Sequence, residues 1–583
     1  MRTRLALAAA ALLTTGLLVP QAGALTGAEQ RSAAAVREDG DHYEAYFPGA
    51  DGVQSLHADI IRPKGWTLDD GRQSPVVLVV SPYTNHNGST TDLDLSGTGP
   101  NPRFFDFLDL TGALDEGYTY VQVDLPGDGG SAGCNDWGGE REQGAVHAAV
   151  EWAASQPWSN GKVALLGKSY DGWTGLMGVA RQPKGLAAVV SLEPVYSGYR
   201  YLWMNGVRRS GTNPTTIALF QVVDAKPGRP SDDPRYLANS APQAWCYPVN
   251  LGGAAADDRE TGPYWAERNL VPTSRGKTTP VFLTQGFLET NTKVDGAFEY
   301  WDGLSGTENR AWFGQFDHAR AWEKNVSGST PSGDGTRWQT GRDGQVFVDE
   351  MMRFLDEHLK GEQPAVEDPV VSVQDNLSRW RAEAAWPPAD STLLTTELRP
   401  GTYTDSGSGS GIRPTPTQGV WSVSTPLEHD AWMAGEPVLT VGVTADTLPT
   451  ANLAANVYDV APDGTLTMMS RGVTLLHGTG NRSVTLTMYG QDWVVRKGHR
   501  VAVLLSSANT DEFVHVATRT PVTVRTAKIA LPFLTQERTE FLQLDGRNPR
   551  LDAFLRASTA KLPAETVAAS EQPFALPAPL APR

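Results

Sequence analysis

The residues most suggestive of chemistry lie in Val163-Ala164-Leu165-Leu166-Gly167-Lys168-Ser169-Tyr170-Asp171-Gly172. A short apolar run stops at a glycine and delivers Ser169 into a sharp turn. Small residues from Gly172 to Ala180 then lead to a second apolar run beginning at Ala187. Strand, turn, helix, strand is the setting of a nucleophile elbow, where the serine occupies strained backbone and small neighbours let strand and helix close on each other. The usual spacing is Gly-x-Ser-x-Gly, but here Asp171 holds the last glycine's place and Gly172 follows it. Gly167-Lys168-Ser169 also invites a phosphate-binding loop. That loop needs four residues between its glycines, whereas Gly161 to Gly167 encloses five, most of them apolar. Taken alone, Ser169 could equally be an ordinary serine at a strand-to-helix turn, so partners elsewhere must decide.

A serine nucleophile needs a base to take its proton and an acid to orient that base. In the strand-helix setting above, acid and base follow the serine in the order carboxylate, histidine, each in a loop just after a strand. Glu289 follows the apolar run Pro280 to Thr284, and His318 follows Arg310 to Gly314. Asp295 and Asp317 are rival carboxylates. The first lies further into the following helix, and the second adjoins the histidine, where a side chain seldom faces its neighbour's ring. The position after the strand favours Glu289.

The elements that must carry these residues are legible along the chain. Residues 42–60 alternate as edge strands do, Ser74 to Val80 and Tyr118 to Val123 are apolar strands, and Phe104 to Leu114 and Gln143 to Gln156 fit helices. Strands alternating with helices imply a mostly parallel sheet covered on both faces, an α/β core. From about Tyr196 to Thr273 the rhythm breaks into Trp, Tyr, Arg and Asn-rich sequence, read as an inserted helical cap. Phe347 to Lys360 is the helix that closes the core. Beyond Asp368 a period-two pattern (Val370 to Val373, Val438 to Val443, Val484 to Met488, Val501 to Leu505, Val522 to Val524) reads as an all-β sandwich. Ser406 to Gly411 is expected to be a flexible loop within it, and the Ala/Pro-rich end a peripheral tail.

Met1 to Ala24 carries Arg2 and Arg4, an apolar run and Ala22-Gly23-Ala24, the pattern of a secretory signal with its cleavage site, so export is expected and no membrane association after cleavage. The 583 residues carry a net charge of -17, which argues against a nucleic-acid partner. The two cysteines, Cys134 and Cys246, provide no zinc-ligand pattern, and neither a metal nor another cofactor is expected. Export makes a disulfide between them the expectation, tying the glycine-rich loop to the cap. Nothing in the sequence sets the oligomeric state.

Together Ser81-Pro82-Tyr83, the Gly-rich turn Asp124 to Gly133, Trp158 to Lys162, Gly167-Lys-Ser-Tyr-Asp-Gly172, Phe354 to Gly361 and Val457 to Gly464 resemble the Xaa-Pro dipeptidyl-peptidase and cocaine esterase family of α/β-hydrolases. The resemblance runs from about His42 to Leu534, and the displaced glycine matches that family's Gly-x-Ser-Tyr-x-Gly form. It implies an α/β-hydrolase core with an inserted helical cap and a C-terminal all-β jelly-roll sandwich. The corresponding expectation is a signal over residues 1–24, core over 25–195 and 276–367, cap over 196–275, jelly roll over 368–560 and tail over 561–583. It also implies an oxyanion hole built from the Tyr83 hydroxyl and the backbone N–H of Tyr170. The catalytic acid departs from the family, which usually has Asp where this chain has Glu289. Amino-ester hydrolases of the family place extra carboxylates directly after the acid, whereas the peptidases tend to have Asn two residues beyond it. Asn291 in Thr290-Asn291-Thr292 resembles the peptidase form. The implied substrate is a peptide or small ester. Glu193, at the end of the strand after the nucleophile helix, is on the sheet edge where ligands bind and is the expected anchor for a substrate α-ammonium.

Overall fold

A computed structural model describes residues 29–32, 37–52, 55–88, 99–210, 228–240, 246–256, 259–319, 346–445, 451–544, 548–558 and 560–582. The expected signal segment lies outside these residues. Among the described residues, no helix is long and apolar enough to cross a membrane.

The chain up to Glu383 builds one large sheet. Its strands are β1 (Glu29–Ser32), β2 (Gly40–Pro48), β3 (Ser55–Pro63), β4 (Ser74–Ser81), β5 (Thr119–Asp124), β6 (Ser159–Lys168) and β7 (Leu186–Leu192). After β8 (Trp203–Met204) and β9 (Val207–Arg209), which form a separate hairpin, the sheet resumes with β10 (Val281–Gly286), β11 (Arg310–Gly314), β12 (Val371–Gln374) and β13 (Trp380–Glu383). The spatial order is β1-β2-β3-β5-β4-β6-β7-β10-β11-β12-β13. Every neighbour pair from β5 to β12 is parallel. The antiparallel pairs flank this parallel block, β1-β2-β3-β5 on one side and β12-β13 on the other.

The central strands carry apolar residues toward both faces because both faces are covered, as a parallel sheet requires. Leu78, Val80, Val163 and Leu165 join one cluster with Ala145, Val146, Ala149 and Val150 of helix α2 (Glu140–Ser155), counting α1 as Phe105–Thr111. On the other face Val77, Val79, Ala164 and Leu166 pack with Phe107 and Leu108 of α1 and with Phe347, Met351 and Phe354 of the helix Val346–Leu355. One strand departs from the sequence reading. Val370 to Val373 resembles a sandwich strand by its alternation, yet β12 pairs in parallel with β11 and extends the core sheet. Local alternation cannot say which sheet a strand joins.

The cap region contains the expected short helices, among them Gly198–Leu202, Pro234–Asn239 and Cys246–Ala256. Cys134 is disulfide-bonded, and Cys246 is the only other cysteine of the sequence. The β8–β9 hairpin was not legible. Its second strand pairs with Phe513–Val514 of the C-terminal region, so its partner lies about 300 residues away in sequence.

Beyond β13 the chain folds into antiparallel sheets whose long strands include Val438–Ala445, Pro521–Leu534, Ala451–Val460 and Arg500–Ser506. Leu439, Val441, Leu453, Val457, Val503, Ile529 and Phe533 form the core between them. Ser406 to Gly411 is not a free loop. The Asp511 carboxylate accepts hydrogen bonds from the Ser410 hydroxyl and from the backbone N–H groups of Gly411 and Ile412. The tail is likewise docked, with Ala560–Lys561 pairing with Thr465–Leu476 and Leu562 buried against Trp421 and Tyr458.

A buried ionic cluster ties these parts together. Arg209 of the cap hairpin is fully buried and reaches Glu512 at 2.6 Å and Asp295 at 3.0 Å, while Arg471 reaches the other Glu512 oxygen at 2.8 Å. Burial alone would raise the Glu512 pKa, but the charges of Arg471, Lys293 and Arg209 and the Tyr489 hydroxyl hold it down at about 2. Replacing Arg209 by Met should therefore destabilise the protein by about 3–5 kcal/mol in urea denaturation, because it breaks a buried ion pair and removes one of the cations that offset the Glu512 charge. The depressed pKa means that the Glu512 contribution is present above its ordinary value of 4.5 and fades as pH falls toward 2. The destabilisation caused by Arg209→Met should accordingly shrink in acid.

Candidate active site

Ser169 stands at the carboxyl end of β6, as the residue before helix α3 (Tyr170–Arg181), with φ 65° and ψ -121°. Such backbone in a non-glycine residue stores strain on the order of 1–3 kcal/mol and persists only when its surroundings hold it. Its N–H donates to the Leu192 carbonyl at 2.9 Å. A Cβ on Gly167 would lie 2.2 Å from the Asp171 carbonyl oxygen, and one on Gly172 would lie 3.0 Å from the Leu192 oxygen. Both glycines are thus required by close backbone approach. The second is needed at 172, where α3 meets the end of β7.

This leaves position 171 able to carry a side chain. The Asp171 carboxylate accepts from Arg103 Nε at 2.6 Å, and the Arg103 guanidinium lies 4.3 Å over the Tyr83 ring. The Tyr83 N–H donates to the Ser81 hydroxyl at 2.9 Å. Tyr83 is consequently braced from the elbow itself. The Tyr170 hydroxyl donates to Glu142 at 2.8 Å, and Glu142 also accepts the N–H groups of Trp137 and Gly138. Burial and the neighbouring Asp136 push the Glu142 pKa up to about 8.

Glu289 and His318 follow β10 and β11, so they and Ser169 all project from the carboxyl edge of the parallel strands. His318 Nδ1 and Glu289 Oε2 are 2.6 Å apart, and the His318 side chain remains 19% exposed. That exposure keeps the ring within reach of a substrate. Glu289 accepts in addition from the Asn291 N–H and from the Thr292 hydroxyl at 3.2 Å. These donors accommodate the longer arm of glutamate. Burial would raise the Glu289 pKa, but the His318 charge and hydrogen bond, the Asn291 N–H and the Lys293 charge outweigh it and hold the carboxyl below its ordinary range. The rival acids are engaged elsewhere: Asp295 pairs with Arg209, and Asp317 with Arg550.

Two sequence expectations change. Asn291 acts on the acid through its backbone, and its side chain is exposed. Glu193 is fully buried and faces the sheet. It accepts from the Thr284 hydroxyl at 3.1 Å, the Gln285 amide at 3.4 Å and the Gly286 N–H at 3.0 Å. Burial and the adjacent Glu289 charge raise its pKa well above the ordinary value. It therefore supports the start of the acid loop rather than presenting an open carboxylate to an ammonium. Sequence position put Glu193 at the correct edge but could not give its direction.

Two family models match the chain. The X-Pro dipeptidyl-peptidase (S15 family) model covers residues 51–320, and the X-Pro dipeptidyl-peptidase C-terminal non-catalytic domain covers residues 364–551. The chain belongs to the X-Pro dipeptidyl-peptidase (S15) family and has its α/β-hydrolase fold. It is 26% identical over 459 residues to a Streptomyces avermitilis protein named "Putative Xaa-Pro dipeptidyl-peptidase", a match covering 70% of this chain and 61% of that protein. It is 25% identical over 397 residues to the Xaa-Pro dipeptidyl-peptidase of Lacticaseibacillus casei, covering 60% of this chain and 47% of that one. In fold it is similar to a CocE/NonD family hydrolase from Staphylococcus aureus, with TM-score 0.64, 14% identity, and coverage of 88% of this chain and 97% of that one.

Within this serine hydrolase family, Arg103 and Glu142 are the supports that sequence reasoning missed. The one available signal was the aspartate standing in a glycine position. Ser169→Ala and His318→Ala should each remove nearly all turnover while leaving the melting temperature near that of the parent, because triad members act as a unit. Glu289→Gln should cost about 10⁴-fold in kcat, by comparison with amidation of a triad aspartate. Asp317→Asn should retain activity. Glu193→Gln should leave KM within about twofold, since uniform binding is lost only when a substrate contact is lost. Steady-state kinetics on the five variants decides all of these outcomes.

Proposed function

We propose that the protein is an exported serine peptidase that releases N-terminal Xaa-Pro dipeptides through an acyl-enzyme intermediate. The observation that carries the chemistry is the hydrogen bond between His318 Nδ1 and a carboxyl held below its ordinary pKa. It leaves Nε2 as the nitrogen to receive the serine proton and favours the imidazolium formed when that proton arrives. Ser169 attacks the carbonyl that follows the second residue of the substrate, and His318 passes the proton to the departing amine. Water then enters by the same route to release the dipeptide. Tyr83, through its hydroxyl, and Tyr170, through its backbone N–H at the start of α3, are the donors for the developing oxyanion, where loss of one typically costs about 10²- to 10³-fold in rate.

Two observations favour the peptidase over an ester hydrolase. Both the catalytic and the C-terminal models matched are those of the X-Pro peptidases, and the acid is followed by Thr290-Asn291-Thr292 with no extra carboxylate. Export rests on the Met1 to Ala24 pattern. We read the inserted helical segment as a cap over the site and the C-terminal sheets as a jelly roll.

Chromogenic amides and esters test this reading. Ala-Pro and Gly-Pro amides should be cleaved, and acetylating the substrate amine should abolish cleavage. Equal turnover of blocked and free substrates, or turnover of simple esters alone, would favour an esterase acting through the same triad. Arg103→Ala should lower kcat about 10-fold or more with little change in KM, because it releases the brace on Tyr83 and touches no ground-state contact.

A further inference from the structure

We infer that the protein carries a divalent transition-metal site, suited to Zn²⁺, formed by His57, Asp59 and His86 with Glu44 at its rim, separate from the catalytic triad. The sequence alone suggested no metal, because the four residues come from two strands and a distant loop and lack any compact ligand spacing.

The placement follows from strand geometry. In β2 and β3, residues two apart share a face, and the register sets Glu44 directly opposite Asp59 and Tyr46 opposite His57. Like charges in that relation destabilise a sheet unless a cation lies between them. The loop after β4 then brings His86 over the same face. One ligand atom from each of Glu44, His57, Asp59 and His86 lies within 4.8 Å of the others. A tetrahedral Zn²⁺ with bonds of about 2.0–2.1 Å holds its ligand atoms about 3.3–3.4 Å apart, so closing the widest pair on an ion asks for a movement of about 1.4 Å, shared between side chains.

The imidazoles are prepared as ligands. His57 is fully buried, its Nδ1 lies 2.9 Å from Asp124, and its Nε2 has no hydrogen-bond partner among the described residues. A bare ring nitrogen in a dry interior is costly unless something fills its lone pair. His86 is likewise held at Nδ1, 3.0 Å from Asp232, while its Nε2 already faces Asp59 at 3.2 Å from both oxygens. Carboxylates holding the far nitrogens of two histidines whose near nitrogens converge are the outer-shell arrangement of metal sites. Two imidazoles with one or two carboxylates suit Zn²⁺ and its first-row neighbours, whereas Ca²⁺ and Mg²⁺ prefer oxygen ligands. His42 Nε2, 2.7 Å from Asp59 Oδ1, orients that carboxylate in turn.

The site joins parts that matter to the reaction. Asp124 opens the glycine-rich loop and accepts from Thr84 at 2.5 Å, one residue after Tyr83. The His86 N–H donates to the hydroxyl of Tyr236 at 2.9 Å, and Tyr236, like Asp232, comes from the segment between β9 and β10. A bound ion would clamp sheet edge, Tyr83 loop and cap segment from behind.

The test uses the full-length protein purified without a metal-affinity column. Elemental analysis should find about one equivalent of Zn²⁺. Chelation should lower the melting temperature, and added Zn²⁺ should restore it. Co²⁺ exchange should produce visible ligand-field bands that Ser169→Ala retains and His57→Gln lacks. Asp232→Asn, which changes only the outer shell, should weaken Zn²⁺ affinity about 10- to 100-fold. Wild-type protein that neither carries nor takes up Zn²⁺ or Co²⁺ at micromolar concentration, with a melting temperature unmoved by either, would overturn the assignment and leave a proton-held His-Asp network. Undiminished binding in both His57→Gln and Asp232→Asn would overturn it as well, by placing the ion elsewhere.

Discussion

The left-handed backbone at Ser169 is the constraint on which the rest of the site depends. A serine can hold φ 65° only where neighbouring backbone leaves no relaxed alternative. Here that confinement comes from the close passage of β6 against α3 at Gly167 and of α3 against the end of β7 at Gly172. The parallel sheet supplies the rest, since it brings β10 and β11 to the same edge and hence Glu289 and His318 to the same side as the serine. Asp171 extends the influence of the turn to Tyr83 through Arg103, so nucleophile and expected oxyanion donor are positioned by one piece of backbone.

Buried carboxylates around this centre have different electrostatic fates, and their partners explain why. Glu289 has an imidazole, a backbone N–H and a nearby lysine, which outweigh its burial and keep it ionised. For Glu193 burial and the repulsion of Glu289 outweigh its neutral donors and the charge of Lys168, and its pKa rises. Glu142 accepts three hydrogen bonds from neutral donors but lies beside Asp136, and it too is raised. Glu289, the proposed acid, is thus distinguished from its neighbours by its imidazole and lysine partners and not by depth.

The C-terminal sheets contribute more than a separate folding unit. Glu512, Arg471 and Tyr489 surround Arg209 of the β8–β9 hairpin, and Asp295, six residues beyond Glu289, joins the same cluster. Lys293, buried between them, has its pKa pushed down to about 8 by burial and by the charges of Arg209 and Arg471, with Glu512 and Glu289 opposing. Such a cluster is costly to bury and costly to break, so it fixes how the parts meet more than it adds net stability. The loop that carries Glu289 is consequently held from the sandwich side as well as from the sheet.

The sequence by itself determined the elements with a strong local signal. The apolar strand into Gly167-Lys168-Ser169, the order of serine, carboxylate and histidine after successive strands, and the alternating C-terminal texture are all written in residues close together along the chain. Local hydrophobic period and backbone sterics set those features. Tertiary structure decided what depends on direction and on distant partners. Glu193 and Glu289 occupy similar strand ends, yet one turns into the sheet and the other meets a histidine. Val371–Gln374 joined the core sheet because β11 offered an open edge, and β9 became a strand only by pairing with Phe513–Val514. Arg103, Glu142 and the His57, Asp59 and His86 cluster were invisible for the same reason. Their partners are assembled by the fold from well-separated segments, and no spacing along the chain encodes such a meeting.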